Sequence, residues 1–344
     1  MEKSKMLLIG LGQGAGNIVD GLLSKNSSYN GLFFNSSALD IKPLKNANID
    51  KNVYLYPGTD GSGRDRRKSK EMIRDNANAI GTLLKKYPQT EVMVIFASFA
   101  GGTGSGAIKT FVQIAASAVP TTKINVVGIL PSLSEDQLAF KNTLECWNDI
   151  NSVMNLISDV KFVDNNKRNT YTEINGEVVD SLDLAYNLMG VHADGNIDKK
   201  DSFRINTADG AGVVLKLFDG LKDAKSAIDF AIKNSVFAQP DIYDCDYLGI
   251  NLKIDAYDAN EITKCFEVYK STYVTYNNSF NVVVLGGCGT PTESIKLIKL
   301  ALDDKSKRKQ SRDKARSVII DFDDDSASNG NNSEANDTLE FSFE

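Results

Sequence analysis

The chain of 344 residues has one histidine, four cysteines and no apolar run of about 18 residues or more. His192 has no nearby serine or cysteine nucleophile, so it makes no catalytic triad, and it is more typical of a helix end or surface turn. The cysteines lack CxxC spacing, which argues against a zinc site or a disulfide framework and predicts reduced core thiols at Cys146, Cys245, Cys265 and Cys288. Without an apolar span or a signal-peptide cleavage pattern, we expect a cytoplasmic protein with no membrane partner.

Basic residues are missing from the end of the chain. Residues 321–344 hold eight acidic residues and no Lys or Arg, so with a net charge of −6 the rest of the chain is close to neutral. This end also has little apolar material, which predicts a disordered acidic tail. The preceding residues 305–316 hold seven Lys or Arg against one Asp, a pattern that fits a partner dock, a nucleic-acid contact or a solvated helix.

A phosphate-binding lysine is missing from both glycine-rich segments. Residues 10–17, Gly-Leu-Gly-Gln-Gly-Ala-Gly-Asn (the first glycine loop), follow an apolar run and open a helical pattern, so backbone amides can face a phosphate. Residues 101–106, Gly-Gly-Thr-Gly-Ser-Gly (the second glycine loop), have the same context and add two hydroxyl groups. A Walker loop would continue with Lys and then Ser or Thr, but Ala107 and Ile108 follow, so amides and Mg²⁺ must neutralise a polyphosphate.

The acidic residue of a dinucleotide-binding domain is missing too. Rossmann domains usually place Asp or Glu at the end of their second strand to bind the ribose, whereas here an apolar run ends in Asn35 and Ser36. Such a domain would also leave the second glycine loop without a role. The two loops favour a nucleoside di- or triphosphate, and a Rossmann oxidoreductase is the less favoured alternative.

Short apolar runs alternate with helical patterns from residue 5 to about 163, which predicts a parallel sheet with helices on both faces. Strands are predicted at 6–9, 32–34, 53–56, 92–97, 124–130 and 161–163, and helices at 16–23, 67–86, 107–118 and 135–157. Ligands bind at the carboxyl ends of such strands, where both glycine loops fall. A broad apolar stripe predicts a buried linking helix over residues 178–191.

The pattern after this helix predicts a smaller α/β domain with a mixed sheet. Strands are expected at 213–218, 247–254 and 281–285, helices at 224–237 and 259–269, and one long helix from 292 to about 318. The predicted division is a nucleotide-binding domain (1–176), the linking helix (177–194), a C-terminal domain (195–290), the C-terminal helix (291–320) and the acidic tail (321–344).

The second glycine loop resembles the signature loop of the tubulin/FtsZ superfamily of GTPases, and further segments resemble that family in the same order. The first glycine loop resembles its first nucleotide loop, residues 35–38 (the serine loop) its second, and residues 61–64 (the arginine loop) its third, which senses the γ-phosphate. The resemblance spans most of residues 1–290. It implies a tubulin/FtsZ-like α/β fold, with a Rossmann-like GTPase domain, a linking helix and a smaller domain, that binds GTP or GDP with Mg²⁺.

The same resemblance assigns the nucleotide contacts. Pro131 and Glu135 fit the ribose-contacting loop (residues 131–135, the ribose loop), although the family often has Arg where Ala139 stands. Asn165 fits the residue that reads guanine, and Tyr186 or Asn187 can each be aligned to the base contact of the linking helix. The implied nucleotide-binding residues are Gly12, Gln13, Gly14, Asn17, Asn35, Ser36, Gly63, Arg64, Gly101, Gly102, Thr103, Gly104, Ser105, Gly106, Pro131, Glu135, Asn165, Tyr186 and Asn187.

Residues 195–201, Gly-Asn-Ile-Asp-Lys-Lys-Asp (the acid loop), resemble the family's catalytic Asn-x-Asp-x-x-Asp loop. In that family the loop enters the GTP site of the next subunit, which implies head-to-tail filaments and hydrolysis that requires assembly. The resemblance implies that Asp198, Asp201 and Asn196 are catalytic, with the two carboxylates polarising the attacking water. The alternatives are an Asp-rich turn that caps the next helix, and a scaffold that binds GTP without hydrolysing it.

Within the superfamily, the long basic C-terminal helix resembles the plasmid- and phage-encoded segregation tubulins, the TubZ branch. This implies treadmilling filaments that move DNA indirectly, through a DNA-binding centromere adaptor of the TubR type. Division proteins of the FtsZ type typically end in an apolar-basic peptide that docks membrane anchors, whereas this chain ends Leu-Glu-Phe-Ser-Phe-Glu. A cell-division GTPase is the alternative.

Overall fold

The computed structural model describes residues 1–316. Its strands are β1 Met6–Leu11, β2 Asn30–Asn35, β3 Val53–Leu55, β4 Val92–Ser98, β5 Lys123–Leu130, β6 Asp159–Asp164, β7 Gly190–His192, β8 Gly195–Ile197, β9 Ala211–Lys216, β10 Asp244–Lys253, β11 Glu267–Asn277 and β12 Val282–Cys288. Its helices are α1 Gln13–Lys25, α2 Arg66–Asp75, α3 Ala77–Leu84, α4 Thr103–Ala118, α5 Gln137–Asn151, α6 Tyr171–Tyr186, α7 Lys199–Asn206, α8 Ala224–Asn234, α9 Ala259–Thr263 and α10 Thr292–Arg316. The predicted acidic tail lies outside the described residues.

One sheet of ten strands runs through the molecule in the order β11-β10-β12-β9-β6-β5-β4-β1-β2-β3. The strands from β6 to β3 are parallel, as the alternating pattern predicted. The predicted mixed sheet of the second half is also present, because β12 runs antiparallel to both β9 and β10. The two parts join where β9 pairs with β6 at Ala211 and Val160, so they form one continuous sheet.

The sheet is covered on both faces, which explains why its central strands read as unbroken apolar runs. In β4 every residue from Val92 to Ala97 is buried. One core contains side chains of α2 to α5 and α8 to α10, and the other contains side chains of α1, α6 and α7. The two glycine loops therefore follow strands of a three-layer body, at the carboxyl ends of those strands.

Residues Met1–Lys305 form one compact unit, and a second begins at Ser306. The predicted domain boundaries near residues 176 and 194 fall inside the first unit, and they stay predictions. Among residues 1–316, none of the helices combines the length and apolar content needed to cross a membrane.

The linking helix begins earlier than predicted. Helix α6 starts at Tyr171 because Thr170 and Glu173 form a capping box, in which each side chain accepts a hydrogen bond from the other residue's backbone amide. The prediction followed the apolar stripe and placed this helix at residues 178–191, which is wrong at both ends. The shift decides which residues of α6 reach the nucleotide loops.

Two other predictions are corrected. The helix predicted over residues 67–86 is broken at Asn76 into α2 and α3, where the Asn76 side chain donates to the Met72 carbonyl. The helix predicted over residues 259–269 ends at Thr263, and β11 begins at Glu267. This strand is rich in Val, Thr and Tyr, which favour a pleated, half-buried surface.

Candidate nucleotide site

A cavity of about 440 Å³ lies at the carboxyl ends of the parallel strands. Seven residues that the sequence assigned to nucleotide binding line it: Gln13, Gly14, Asn17, Arg64, Gly101, Glu135 and Asn165. Ser98, Ala100, Ile129, Tyr171 and Asn175 complete the lining. The predicted position of the site at this edge of the sheet therefore coincides with a cavity.

The first glycine loop turns sharply from β1 into α1. Gly12 has a φ of +82°, a left-handed conformation that favours glycine, and its amide donates to the Phe34 carbonyl. Helix α1 then starts at Gln13, and the first amides of a helix have no partner within it. The amides of Gln13 and Gly14 consequently provide the positive end of α1 at the cavity, which suits a phosphate.

The second glycine loop is glycine-rich because other backbone segments pass close to it. A Cβ at Gly104 would lie 2.6 Å from the Leu11 carbonyl oxygen, and one at Gly106 would lie 2.5 Å from that of Arg66. Helix α4 begins within the loop, at Thr103, so a second helix N-terminus lies beside the first. Two positive helix ends at one edge of the sheet can bind several phosphate groups.

The sequence suggested that both hydroxyl groups of this loop face a ligand, and the structure differs. Ser105 is fully buried and donates to the Gly101 carbonyl within its own helix turn. The Thr103 hydroxyl donates to that of Ser62 and lies 3.0 Å from that of Ser36. These three hydroxyl groups link the second glycine loop, the serine loop and the arginine loop.

The serine loop supports the site from behind and does not line the cavity. Asn35 and Ser36 are 1% and 2% exposed. The Asn35 side-chain oxygen accepts from the amides of Ser36 and Ser37, which fixes the turn after β2. In the described structure, Asn35 and Ser36 therefore hold neighbouring loops in place.

The arginine loop places a cation in the cavity. Gly61, Gly63 and Arg64 all have positive φ values, of +86°, +58° and +64°, so the loop is tightly coiled. The Arg64 guanidinium lies 2.6 Å from the Asp136 carboxylate and 3.9 Å from that of Glu135. The amide of Ala139 and this guanidinium hold the pKa of Asp136 below its usual value.

The ribose loop presents Glu135 to the cavity. Its carboxylate accepts from the amide of Ser132 at 3.2 Å and from the Tyr171 hydroxyl at 3.3 Å. Pro131 is buried outside the lining, and its carbonyl accepts from the Asn166 side chain at 3.3 Å. Glu135 is thus placed to contact a bound sugar, whereas Pro131 shapes the loop.

The linking helix contributes two residues that the sequence reasoning missed. Tyr171 and Asn175, one turn apart in α6, both line the cavity. The Thr-x-x-Glu pattern at residues 170–173 was the signal for this helix start. Partial burial, together with the neighbouring Glu135 carboxylate, raises the pKa of the Tyr171 phenol, which stays protonated.

Tyr186 and Asn187, which the sequence proposed as the base contact, lie at the other end of this helix. Tyr186 is fully buried in the last turn of α6, about 22 Å along the helix axis from Tyr171. Its hydroxyl has no hydrogen-bond partner among the described residues. Asn187 follows the helix and is exposed. The structure therefore contradicts their placement at the nucleotide.

The acid loop lies at the amino ends of the parallel strands, opposite the nucleotide cavity. Asn196 is exposed in β8, and Asp198 caps α7 by accepting from the amides of Lys200 and Asp201. The Asp201 carboxylate in turn accepts from the Asp198 amide at 3.2 Å. Asp198 and Asp201 thus form a capping box at the start of α7, and these backbone hydrogen bonds, that of the Asp201 amide foremost, lower the pKa of Asp198.

The position of α7 shows how far these acids are from the nucleotide cavity. Lys199 and Lys200 line a separate cavity of about 750 Å³ together with Met6 and Val92, the first residues of β1 and β4. The glycine loops follow the last residues of the same strands, about 20 Å away for a six-residue strand. One copy of the chain therefore does not bring Asp198 and Asp201 to its own nucleotide cavity.

His192 and the cysteines have structural surroundings. His192 lies in the β7–β8 hairpin, where its ring packs against Tyr276 at 5.1 Å. All four cysteines are free thiols, and three are buried. Within residues 1–316, no group of three or more His, Cys, Asp or Glu side chains is placed to hold a metal ion.

Comparisons with known proteins agree with this geometry. A model of the "Tubulin/FtsZ family, GTPase domain" matches residues 5–168. The tubulin-like protein TubZ of Clostridium botulinum C phage is 30% identical over 323 residues, covering 93% of this chain and 89% of that protein. The structure of a tail-truncated TubZ from Clostridium botulinum phage c-st has a TM-score of 0.82 at 29% identity, covering 90% of this chain and 100% of that one.

A more distant structure has the same fold. It is a GTPγS-form protofilament of TubZ from Bacillus thuringiensis serovar israelensis, with a TM-score of 0.75 at 16% identity, covering 90% of this chain and 94% of that one. The N-terminal match ends just before α6, and the structural matches extend over the linking helix and the second half of the sheet.

Proposed function

The chain belongs to the tubulin/FtsZ family as a TubZ-like member, and from this premise we propose that it is a cytoplasmic GTPase that polymerises head to tail. GTP is hydrolysed where two subunits meet. The observation that carries this proposal is the separation of the nucleotide cavity from the acid loop, which lie at opposite ends of the parallel strands β1 and β4. Family membership also overturns the alternative of a Rossmann oxidoreductase.

The cavity suits each part of a guanine nucleotide. The amides of the two glycine loops bind the phosphates, and the Arg64 cation, held by the arginine loop, faces the terminal phosphate. Glu135 binds the ribose hydroxyls, and the Tyr171 ring stacks on the purine. Asn165 and Asn175 each carry a donor and an acceptor, which match the O6 acceptor and the N1 and N2 donors of guanine.

Mg²⁺ would join the site with the nucleotide. Among the described residues, no group of three or more His, Cys, Asp or Glu side chains forms a metal cage, and Mg²⁺ commonly keeps several waters and takes phosphate oxygens as ligands. When bound, it would neutralise the charge of the β- and γ-phosphates. The protein supplies the amides and the Arg64 guanidinium around them.

Head-to-tail stacking supplies the missing carboxylates. When the acid loop of one subunit meets the nucleotide cavity of the next, Asp198 and Asp201 can orient and polarise the attacking water, with Asn196 beside them. Capping is compatible with this role because the amides of Lys200 and Asp201 both use Oδ1 of Asp198. The lowered pKa of Asp198 keeps its carboxylate ionised at neutral pH.

Phosphate release measured against protein concentration, with GTP, Mg²⁺ and parallel light scattering, tests this function. We expect a specific rate near zero below a critical concentration that rises together with scattering. A rate independent of concentration would mean that each subunit holds a complete site. Absence of turnover in polymers that do form would instead favour a scaffold that binds GTP without hydrolysing it.

We further propose that the filaments segregate plasmid or phage DNA through a DNA-binding centromere adaptor of the TubR type. Support comes from the phage TubZ relative, which the chain covers almost end to end, and from the basic residues 305–316. Co-sedimentation of filaments with a candidate adaptor bound to its DNA tests the proposal. Deletion of residues 303–344 should abolish this co-sedimentation, and recruitment of a membrane anchor instead would favour a division protein.

A further inference from the structure

Asn142, in α5, connects two loops of the nucleotide site that are distant in sequence. Its side-chain nitrogen lies 3.1 Å from the Arg64 carbonyl oxygen and 3.2 Å from those of Ala100 and Gly101. The residue is 4% exposed and does not line the cavity. One buried amide group therefore donates to the arginine loop and to the start of the second glycine loop.

The two loops are also in direct contact. A Cβ at Gly102 would lie 2.3 Å from the Ser62 side-chain oxygen and 2.6 Å from the Arg64 Cα, so glycine lets the arginine loop rest on the second glycine loop. Thr103 donates to Ser62 across the same contact at 3.2 Å. The contact between the loops is thus closed by backbone packing, one hydroxyl pair and the Asn142 amide.

The arginine loop depends on this contact more than the second glycine loop does. The second glycine loop continues directly into α4, whose regular hydrogen bonds fix its backbone. Three of the four residues of the arginine loop, Gly61, Gly63 and Arg64, have a positive φ, and left-handed backbone at Arg64 is sparsely populated for a residue with a side chain. A donor that holds the Arg64 carbonyl therefore fixes the direction in which the Arg64 side chain leaves the loop.

We propose that Asn142 is a positioning residue that aligns the arginine loop with the second glycine loop, so that the site distinguishes GTP from GDP. The inference rests on the proposed GTPase function. In the proposed binding mode, the second glycine loop would hold the phosphates common to both nucleotides, whereas the arginine loop would contact only the third. Loss of the alignment therefore weakens GTP binding selectively.

Dissociation constants for GTP and GDP, measured by competition with a fluorescent nucleotide below the critical concentration, test this role in Asn142→Leu. Leucine keeps a similar branched shape without a donor. We expect GTP affinity to fall about five- to tenfold, the effect of roughly one net hydrogen bond, while GDP affinity changes less than about twofold. Thr143→Val is the matched control, because Thr143 is fully buried on the same helix but donates only to the Ala139 carbonyl.

An unchanged ratio of the GTP and GDP dissociation constants, whether both affinities fall equally or neither falls, would overturn the proposal. If the Asn142→Leu variant does not fold, Ser62→Ala decides, since it removes one hydroxyl from the same contact and should lower GTP affinity about two- to threefold with GDP affinity retained. An equal effect of Ser62→Ala on both nucleotides would then refute it. Failure of the wild-type protein to bind GTP would refute the proposed function itself.

Discussion

Replacing Asp198 by asparagine separates the two roles that its position allows. Its Oδ1 atom accepts from the Lys200 amide at 2.7 Å and from the Asp201 amide at 2.9 Å, and asparagine caps helices about as well as aspartate. The substitution therefore keeps the cap and removes the ionised carboxylate. If Asp198 activates water in the neighbouring site, phosphate release from polymers should fall by about 10²- to 10⁴-fold.

Stability measurements make this test specific. We expect the Tm of Asp198→Asn to stay within about 1 °C of wild type, and that of Asp198→Ala, which loses both backbone hydrogen bonds, to fall by about 2 °C. Both variants should bind GTP and assemble, and their filaments should disassemble more slowly because GTP persists in them. The assays are phosphate release, light scattering after dilution, and thermal unfolding by circular dichroism.

Asp223→Asn is the matched control. Asp223 caps α8 in the same way, accepting from the Ser226 amide at 2.8 Å, but it lies in a different part of the chain. Its replacement should leave turnover unchanged. Wild-type turnover in Asp198→Asn, with a defect only in Asp198→Ala, would show that this carboxylate serves as a helix cap and would refute the catalytic assignment.

Four further variants test the nucleotide cavity and the residues around it. Tyr171→Leu should weaken GTP binding about tenfold or more, because base stacking is lost. Tyr186→Phe should leave GTP affinity unchanged and thermal stability equal or higher, because it removes a buried hydroxyl without a partner among the described residues. Competition binding and thermal melts check both variants. Asp136 has a lowered folded-state pKa, so its contribution to stability is present above its unfolded pKa of about 3.9 and is lost as pH falls through the folded value. Asp136→Asn should accordingly destabilise the protein more at pH 7 than at pH 3 in urea unfolding curves, and an equal effect at both would contradict the ion pair with Arg64. Gly104→Ala should abolish detectable GTP binding in the same competition assay, since its Cβ would lie 2.6 Å from the carbonyl oxygen at the end of β1, and retained affinity would mean that the loops can move apart.

Most of the first half of the fold could be predicted from the sequence, because its strands and helices have local sequence patterns. Each central parallel strand is buried on both faces, so it appears as a short apolar run that ends in glycine or polar residues. The first glycine loop and its helix could be located for the same reason. The position of β11 could not be predicted in this way. Its polar and aromatic residues form a half-buried strand because they pair with β10, and this pairing leaves no pattern in the local sequence.

The candidate site was predictable where backbone geometry dictates residue type. Gly12 and Gly104 are required by a positive φ and by a close carbonyl, and glycine-rich loops record such constraints in the sequence. Tyr171 was missed because the apolar stripe of α6 is strongest in its second half, while its start is set by the cap at Thr170. Asn142 could not be found from the sequence, since its partners at residues 64 and 100–101 meet it only in the folded chain.

The continuous sheet also has a mechanical meaning. In the proposed head-to-tail polymer, tension would enter a subunit near the carboxyl ends of β1 and β4 and leave near their amino ends, where the acid loop lies. The pull then runs along the strands and loads the ladder hydrogen bonds in shear, so that many bonds share the force instead of opening one by one. Few ladder bonds share such a load where the two parts of the sheet meet, because β9 pairs with β6 only at Ala211 and Val160, and two further backbone hydrogen bonds join β6 to Val236 and Ala238.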